Sequence, residues 1–415
     1  MGRAIGRLMK WLGTAVLFAI VALCLAIVLI PPFLDRVYYR GPVSSHFDGK
    51  RFFNPDGDDT LRPPAGRSRG SFLLRYVTGS DDRPAWPEQV AVTPSRPPAR
   101  VEGERMLVTW VGHATMLVQT AGLNILTDPV WSDTAGPFGF GPRRVTRPGV
   151  RFEDLPKIDL VLVSHNHYDH LDLATLKRLW DRDKPYIVTP LGNDAIIRSA
   201  GIPSSQRVTD CSACPGVEAL DWGQFQAIGK GPADTEAQRE RMPAVIVTRN
   251  HHWDSRWFTD RNRALWSSFV VRLPSGGNLF FAGDTGLGDG KWPEEAARYG
   301  PIRLALIPIG AFRFEPGQMG IGSHIGPIDA ATVFQRLGAS HAIGIHWGTF
   351  RLSYEAYDTP PRLLREVMRC RGYPGGLFDT VTIGRPVEIA PYAAPPAARP
   401  LDPACLDTPA VQALR

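Results

Sequence analysis

The sequence has few cysteines and no long run of like charges. The first shortage argues against a zinc knuckle, and the second argues against a nucleic-acid partner. Only five cysteines occur among 415 residues. Cys211 and Cys214 form a lone C-x-x-C without the second pair that a zinc knuckle needs. The pair is either redox-active or disulfide-bonded, or it is two small residues in a loop.

The charge pattern argues against a nucleic-acid partner. No run of five like charges occurs, and basic residues do not interleave with aromatic ones, although the net charge is +6. The basic balance favours anionic partners such as phosphates or a membrane surface. Apolar residues make up 43% of the chain and charged residues 21%, which is ordinary for a globular protein that buries a core.

A long uncharged run near the N-terminus predicts a membrane anchor. The run WLGTAVLFAIVALCLAIVLI, from Trp11 to Ile30, would span about 30 Å as a helix, which matches the hydrocarbon thickness of a bilayer. Large residues and prolines follow it instead of a small-residue cleavage site, which favours an uncleaved anchor over a cleaved signal or a buried core helix. Basic residues flank both ends, so the positive-inside bias only slightly favours a cytoplasmic N-terminus. We therefore expect a single-pass protein of the bacterial inner membrane, with the rest of the chain slightly favoured in the periplasm.

Composition divides the chain into four segments. These are a membrane anchor (1–31), an extended Pro/Arg-rich arm (32–100), a folded domain (101–390) and a Pro/Ala-rich disordered tail (391–415). Within the folded domain, apolar runs such as IDLVLVSH and NLFFAGD predict mostly buried strands. LDLATLKRLWD has helical spacing, and Asp172 is placed to cap that helix. Strands mixed with helices predict a layered α/β fold.

Histidine is also scarce, yet three of the ten histidines lie in the single stretch VSHNHYDHLD, from Val163 to Asp172. His165 and His167 are two residues apart after an apolar strand, and Asp169 and His170 follow at the start of the predicted helix. Such nitrogen and oxygen donors suit zinc or a similar divalent ion, and they fit either one shared metal or two metals with two ligands each. The alternative is a solvated, histidine-rich loop.

Further donors follow later apolar runs. VIVTRNHHWDSR offers His251 or His252, and only one of the two should reach a metal because neighbours in an extended chain point to opposite faces. LFFAGDTG offers Asp284 at a strand end, and AIGIHWGTF offers His346. Each alone is more often a capping or core residue, but together they would complete two metal sites.

These motifs resemble a known family. SHNHYDHLD, GDTG and HWGTF are similar to motifs of the metallo-β-lactamase superfamily, in its branch of N-acyl phosphatidylethanolamine phospholipase D and related bacterial metallohydrolases. The resemblance extends from His46 to Arg385 and includes TWVGHATMLVQ and TDPVWSD. It implies an αββα sandwich, here preceded by one transmembrane helix, with the metals at one edge between the sheets. It also implies that His252, which precedes Trp253, is the ligand and that His251 is not.

The resemblance implies two Zn²⁺ ions, or another divalent metal, and a role for each ligand. One ion would be held by His165, His167 and His252, and the other by Asp169, His170 and His346, while Asp284 bridges both. Asp169 and Asp284 are also the catalytic candidates, together with His324, which either contacts substrate or only structures its loop. His113 and Asp128 are candidates for contacts to the ligands or are plain turn residues.

The implied activity is that of a phospholipase D-type phosphodiesterase, in which a metal-bound hydroxide attacks the phosphorus of N-acyl phosphatidylethanolamine or a similar phospholipid. Two alternatives stay open: a metallohydrolase of a soluble ester, lactone or phosphodiester, and a membrane-bound metal or envelope protein without turnover. The partners are thus a phospholipid or other phosphodiester and the membrane, while the acyl chain, native metal and oligomeric state are left undetermined. Four aromatic residues would line an apolar entrance or belong to the core: Trp131, Phe138, Phe140 and Phe312.

Overall fold

The structure is a computed structural model that describes residues 2–34, 36–57, 75, 83–206, 214–228, 242–257, 259–314 and 321–414. Within these residues, two seven-stranded sheets lie face to face, and helices cover the outer face of each. This is the αββα sandwich that the sequence predicts.

The N-terminal helix α1 runs from Gly2 to Leu34. Its segment Ile5–Ala26 is long and apolar enough to cross a membrane and is not buried against the rest of the protein. By length and composition it also fits a signal sequence. Residues 36–57 form no helix or strand and are mostly exposed, but Phe47 and Phe52 are buried against Trp266. The region 58–74 and the region 76–82 of the predicted arm lie outside the described residues.

The first sheet has the order β14-β1-β2-β3-β4-β5-β6. Strands β14, β1, β2 and β3 pair antiparallel, and β3 to β6 pair parallel. The strands are β1 (Met106–Gly112), β2 (Thr115–Thr120), β3 (Leu123–Thr127), β4 (Leu160–Leu162), β5 (Tyr186–Pro190), β6 (Gly216–Leu220) and β14 (Val387–Ile389).

The second sheet has the order β13-β12-β11-β10-β9-β8-β7. Strands β10 to β13 pair parallel, and β7 to β10 pair antiparallel. The strands are β7 (Phe225–Ala227), β8 (Ala244–Thr248), β9 (Ser268–Arg272), β10 (Asn278–Phe281), β11 (Ile302–Pro308), β12 (His341–Ile345) and β13 (Phe378–Asp379).

Strands in both sheets are apolar on both faces, which explains the near-continuous apolar runs in the sequence. In β4, Leu160 and Leu162 point into the core between the sheets, whereas Val161 and the following Val163 pack under the outer helices. The same alternation holds in β11. Successive side chains of a strand point to opposite faces, so a strand covered on both sides loses its polar alternation.

The helices form the two outer layers. Helix α2 starts at the predicted cap, where the Asp172 carboxylate accepts hydrogen bonds from the backbone N–H groups of Ala174 and Thr175. The first sheet is covered by α2 (Leu173–Asp183) and α3 (Asn193–Arg198). The second is covered by α4 (Trp292–Ala297), α5 (Pro327–Leu337) and α6 (Thr359–Cys370), joined by α7 (Pro403–Leu406) and α8 (Pro409–Gln412).

The sequence predicts a disordered tail over 391–415, but part of the described segment is packed against the domain. Leu406, Val411 and Leu414 are buried in the core under the second sheet, and a disulfide joins Cys370 in α6 to Cys405 in α7. The segment is rich in Pro and Ala, but a few well-spaced apolar residues and one disulfide hold this part of it against the domain. Of the C-x-x-C pair, Cys214 is disulfide-bonded and Cys211 lies outside the described residues.

Candidate metal centre

All seven predicted metal ligands lie in loops that leave one edge of the sandwich. Four of them are in the loop after β4, and the other three directly follow the carboxyl ends of β8, β10 and β12. Strands β8, β10 and β12 run in the same direction within the second sheet, so their carboxyl ends lie along one edge of that sheet. Folding therefore brings together donors that are as far apart in the sequence as His165 and His346, which are separated by 181 positions.

Among the described residues the donors form four overlapping groups, and two adjoining ones hold the seven predicted ligands. The other two groups add Asp128 and His324. Within each group the potential ligand atoms lie within 4.8 Å of one another. The Asp284 Oδ2 atom is 3.1 Å from His170 Nε2 and 3.0 Å from His346 Nε2, so Asp284 reaches both groups. The first group is His165, His167, His252 and Asp284, and the second is His113, Asp169, His170 and His346.

In the first group, burial keeps the imidazoles neutral. Burial lowers the pKa of His167 to about 3 and lowers the pKa of His165 and of His252 well below the ordinary value. His165 Nε2 and His167 Nδ1 lie 2.8 Å apart. Neutral imidazole is the form that binds a metal, so these rings are ready to act as ligands.

In the second group, carboxylates and imidazoles stabilise each other's charges. Burial alone would lower the pKa of His346, but Asp284 and Asp169 outweigh burial and raise this pKa to about 9. Burial would likewise raise the pKa of Asp284, but His170 and His346 lower it well below the ordinary value. Protonated imidazole thus balances the negative charge of the carboxylates. A bound divalent cation would supply that positive charge directly.

Several polar atoms at the centre are buried without a hydrogen-bond partner among the described residues. They include Nε2 of His167, Nε2 of His252 and Oδ1 of Asp284. Leaving such an atom unsatisfied costs about 1–3 kcal/mol. Bound divalent ions would satisfy these atoms, so the residues present fit a pair of metal ions. A set of imidazoles and carboxylates suits zinc and similar divalent metals.

Other side chains fix which ring nitrogen faces the centre. Nδ1 of His170 lies 2.6 Å from Asp128 Oδ2, and Asp128 also accepts hydrogen bonds from the N–H and hydroxyl of Ser164. Nδ1–H of His252 donates to the carbonyl of Ser323 at 2.9 Å. With Nδ1 engaged, Nε2 of each ring is left for a metal. His113 Nε2 lies 3.0 Å from Asp169 Oδ2, so both predicted supporting residues contact ligands.

Three residues at the centre have left-handed backbone conformations that are unusual for residues other than glycine. The φ angles are 52° at His113, 31° at Asp128 and 62° at His346. Each costs on the order of 1 kcal/mol or more, and such outliers cluster at functional sites. Turning the chain sharply at these strand ends aims the side chains at the centre.

The two neighbouring histidines have different surroundings in the structure. His251 Nδ1 faces the Asp56 carboxylate at 3.0 Å, away from the ligand groups, whereas His252 lies within the first group. His324 is buried with Nδ1 3.8 Å from Asp284 Oδ2, and burial lowers the pKa of His324 to about 3.

Sequence reasoning missed a polar link between two ligand loops. The amide of Asn166, between His165 and His167, donates to Asp254, which lies two residues after His252. Arg256 donates to the backbone carbonyls of Asn166 and Leu171 at 3.0 and 2.9 Å. The signal was the charged pair that follows the histidine in HHWDSR.

A pocket of about 300 Å³ opens over the centre. Its polar floor includes His167, Asp169, Asp284 and His324, and its walls include Trp253, Phe314 and Leu352. A larger cavity of about 670 Å³ lies between residues 90–95 and 380–386, but none of the clustered donors lines it. We therefore take the smaller pocket as the candidate active site.

The four aromatic residues proposed for an entrance divide into two pairs. Trp131 and Phe312 pack against the cores, and the Trp131 indole N–H donates to the Val150 carbonyl at 3.1 Å. Phe138 and Phe140 are exposed instead. Only the second pair is free to contact a ligand or a surface.

Comparison with known proteins gives matches over the part of the chain that carries the centre. Residues 123–347, more than half of the chain, match the family model described as "Beta-lactamase superfamily domain". The Caenorhabditis elegans N-acyl-phosphatidylethanolamine-hydrolyzing phospholipase D 1 is 36% identical over 270 residues, which cover 64% of this chain and 70% of that protein. The mitochondrial N-acyl-phosphatidylethanolamine-hydrolyzing phospholipase D of Saccharomyces cerevisiae is 32% identical over 266 residues, 64% of this chain and 52% of that protein. Among solved structures, an isothiocyanate hydrolase from Delia radicum gut bacteria matches with 19% identity and a TM-score of 0.49, over 69% of this chain and 100% of that one.

Proposed function

This chain belongs to the metallo-β-lactamase superfamily, and from that premise we propose a membrane-anchored phosphodiesterase that cleaves N-acyl phosphatidylethanolamine or a similar phospholipid on the headgroup side of phosphorus. The observation that carries the proposal is the double group of buried donors that meets at Asp284 beneath an open pocket. The names of the two phospholipase relatives supply the substrate class.

The proposed ligand set is the one that the sequence predicts. Two divalent ions held there would lower the pKa of a water molecule and neutralise charge on the phosphoryl oxygens. The Asp284 carboxylate is placed to be shared, because its Oδ2 atom is within 3.1 Å of His170 Nε2 and of His346 Nε2. One ion would bind to His165, His167 and His252, and the other to Asp169, His170 and His346.

Two further side chains act on substrate and water. Asp169 lines the pocket and its carboxylate lies 3.0 Å from His113 Nε2, so it is placed to orient the attacking water. The lowered pKa of His324 makes that ring neutral at physiological pH, so it contacts substrate as a hydrogen-bonding group and not as a cation.

Pocket shape and chain charge fit a phospholipid. The walls formed by Trp253, Phe314 and Leu352 are apolar enough for the start of an acyl chain, while the floor is polar. The net charge of +6 favours an anionic phosphodiester. Cleavage of the bond between phosphorus and the headgroup oxygen gives phosphatidic acid and an N-acylethanolamine, with one water consumed.

The disulfides favour a periplasmic domain. Cys370 and Cys405 are joined, and Cys214 is also disulfide-bonded. Disulfides persist in oxidising compartments such as the bacterial periplasm and are rare in the cytosol. With α1 as an uncleaved anchor, the N-terminus would then be cytoplasmic.

The test is a substrate panel with the purified full-length protein loaded with zinc. We expect phosphatidic acid and N-acylethanolamine to rise together from N-acyl phosphatidylethanolamine, detected by mass spectrometry of lipid extracts. The Asp284→Asn protein should produce neither product. Turnover of only soluble esters or lactones would replace the phospholipid proposal, while the metal chemistry would stand.

A further inference from the structure

We propose that the loop 134–143 is a membrane-inserted lip of the active site, which places Phe138 and Phe140 in the interface of the bilayer. The inference rests on the proposed lipid substrate and membrane anchor. It adds a second, separate membrane contact that determines how the pocket meets the lipid surface.

The two phenylalanines are exposed to an unusual degree. Phe138 is 85% exposed and Phe140 is 74% exposed, the highest values among the large hydrophobic residues described outside α1. The pair lies within three consecutive residues on one loop. An apolar pair that the protein itself leaves uncovered is typical of a surface that meets a partner or a membrane.

The backbone conformation of the loop holds these two side chains outward. Its ends are bridged between Thr134 and Arg143, and the Ala135 N–H donates to the Pro142 carbonyl at 2.9 Å. Phe138 has a φ of 54°, a left-handed conformation that is unfavourable for a bulky residue. A Cβ atom at Gly136 would lie 1.9 Å from the Phe140 carbonyl oxygen, so glycine is needed for this tight closure. The backbone of the loop therefore holds both phenylalanine rings outward in a defined conformation.

Contacts connect the loop to both the pocket and the anchor. Ala135 lines the pocket over the metal centre. The Phe138 ring lies 6.4 Å from the Trp257 ring, and the Arg36 guanidinium lies 5.0 Å from the same indole. Arg36 is two residues beyond the end of α1 at Leu34, which is at most about 7 Å of chain. With α1 in the bilayer, Arg36 lies at the headgroup level and Phe138 lies beside it.

The linker after α1 is fixed in this position. The Tyr38 hydroxyl donates to the Asp260 carboxylate at 2.8 Å, within the segment that also carries Trp257. This contact holds Tyr38 against the segment that follows the pocket residues Trp253 and Ser255. A tethered domain with a fixed linker presents one face to the lipid, and that face carries the lip.

The charge around the lip suits a bilayer surface. Arg143 is exposed at the end of the loop, and the half-buried Trp257 lies beside Phe138. Arginine and tryptophan are suited to the headgroup region, where guanidinium groups meet phosphates and indoles lie across the boundary. The occupant of this face is therefore a phospholipid bilayer.

The direct test measures contact with lipid and needs no turnover. In full-length protein carrying Cys24→Ser to remove the exposed free thiol, the variant Phe138→Cys is labelled with a fluorophore and reconstituted in nanodiscs that contain spin-labelled lipid. The matched control is Phe225→Cys in β7, because Phe225 is 61% exposed and lies outside the pocket and the loop. We expect strong quenching at position 138 and little at position 225. Equal quenching at the two positions would overturn the proposal.

A second arm separates the lip from the chemistry. The double variant Phe138→Asp, Phe140→Asp should lower hydrolysis of bilayer lipid by about tenfold or more, while its turnover of bis(p-nitrophenyl) phosphate in solution stays unchanged. Phe225→Asp should alter neither rate. Loss of both activities together, or of neither, would contradict a membrane role for the lip. If the wild type cleaved no lipid but position 138 were still quenched, the proposed substrate would fail and the lip would stand.

Discussion

At the scale of single residues, the centre depends on side chains that contact the ligands as much as on the ligands. Asp128 is an example, because its carboxylate is fully buried and accepts hydrogen bonds from Ser164 while contacting His170 Nδ1 at 2.6 Å. It orients the imidazole and would increase the basicity of Nε2 toward a bound metal.

The variant Asp128→Asn tests this role. We expect metal affinity to fall by about 10–100-fold, because the amide keeps the shape but loses the charge that supports His170. Competition with a chromophoric chelator measures the affinity, and Asp133→Asn, an exposed residue outside the centre, is the control. Wild-type affinity in Asp128→Asn would show that the contact has no influence on the metal.

His324 allows substrate contact to be separated from metal binding. We expect His324→Ala to retain the metal content of the wild type and to lose roughly 10²–10⁴-fold in kcat, as is typical for removal of a positioned hydrogen-bonding or acid–base group. Elemental analysis and steady-state kinetics on the same preparation give both values. A matching loss of metal would instead make His324 a ligand.

The individual residues of the centre could be predicted from residue spacing only where the donors are close together along the chain. The stretch from His165 to His170 is a recognisable pattern, and the family resemblance implies His252 as the ligand in place of His251. Asn166 and Asp254 are 88 positions apart, so their hydrogen bond became visible only in the folded chain, although each lies beside predicted ligands.

At the scale of elements, the strands bring distant donors to one edge of the sandwich. The tail packs into the helical layer that covers the second sheet. The strands were predictable because an apolar run covered on both faces has a clear signature. The packed tail was not, because three buried residues and one disulfide are too few to dominate a Pro/Ala-rich composition.

The disulfide between α6 and α7 should contribute measurably to stability. With a sequence separation of 35, loop-closure entropy predicts a loss of about 4 kcal/mol at most when Cys405→Ser removes the link. Urea unfolding of the variant and the wild type measures the difference, and Cys24→Ser, a free and exposed cysteine, is the control. Unchanged unfolding midpoints would mean that the buried apolar residues alone hold the tail.

At the scale of the whole molecule, the apolar helix α1, the residues that follow it and the disulfides support the proposal of a domain held at the outer face of an inner membrane. Tyr38 and Arg36 join the linker to the segment beside the pocket. The sequence alone predicted the anchor from its length and lack of charge, but balanced flanking charges gave little information on orientation.

Orientation is testable in bacterial cells. Protease added to spheroplasts should digest the domain while a cytoplasmic marker protein stays intact, because the disulfides favour the periplasmic side. Detergent lysis supplies the positive control for digestion of the marker. Protection of the domain in intact spheroplasts would place it in the cytoplasm and would contradict the assignment.

The central claim is that a pair of metal ions shared by Asp284 carries out the hydrolysis. The most direct measurement is hydrolysis of N-acyl phosphatidylethanolamine by metal-free full-length protein as zinc is added in steps. We predict that activity is absent without metal and reaches a plateau at about two ions per chain, and that Asp284→Asn stays inactive throughout. Full activity without metal, or a full rate in Asp284→Asn, would contradict the account.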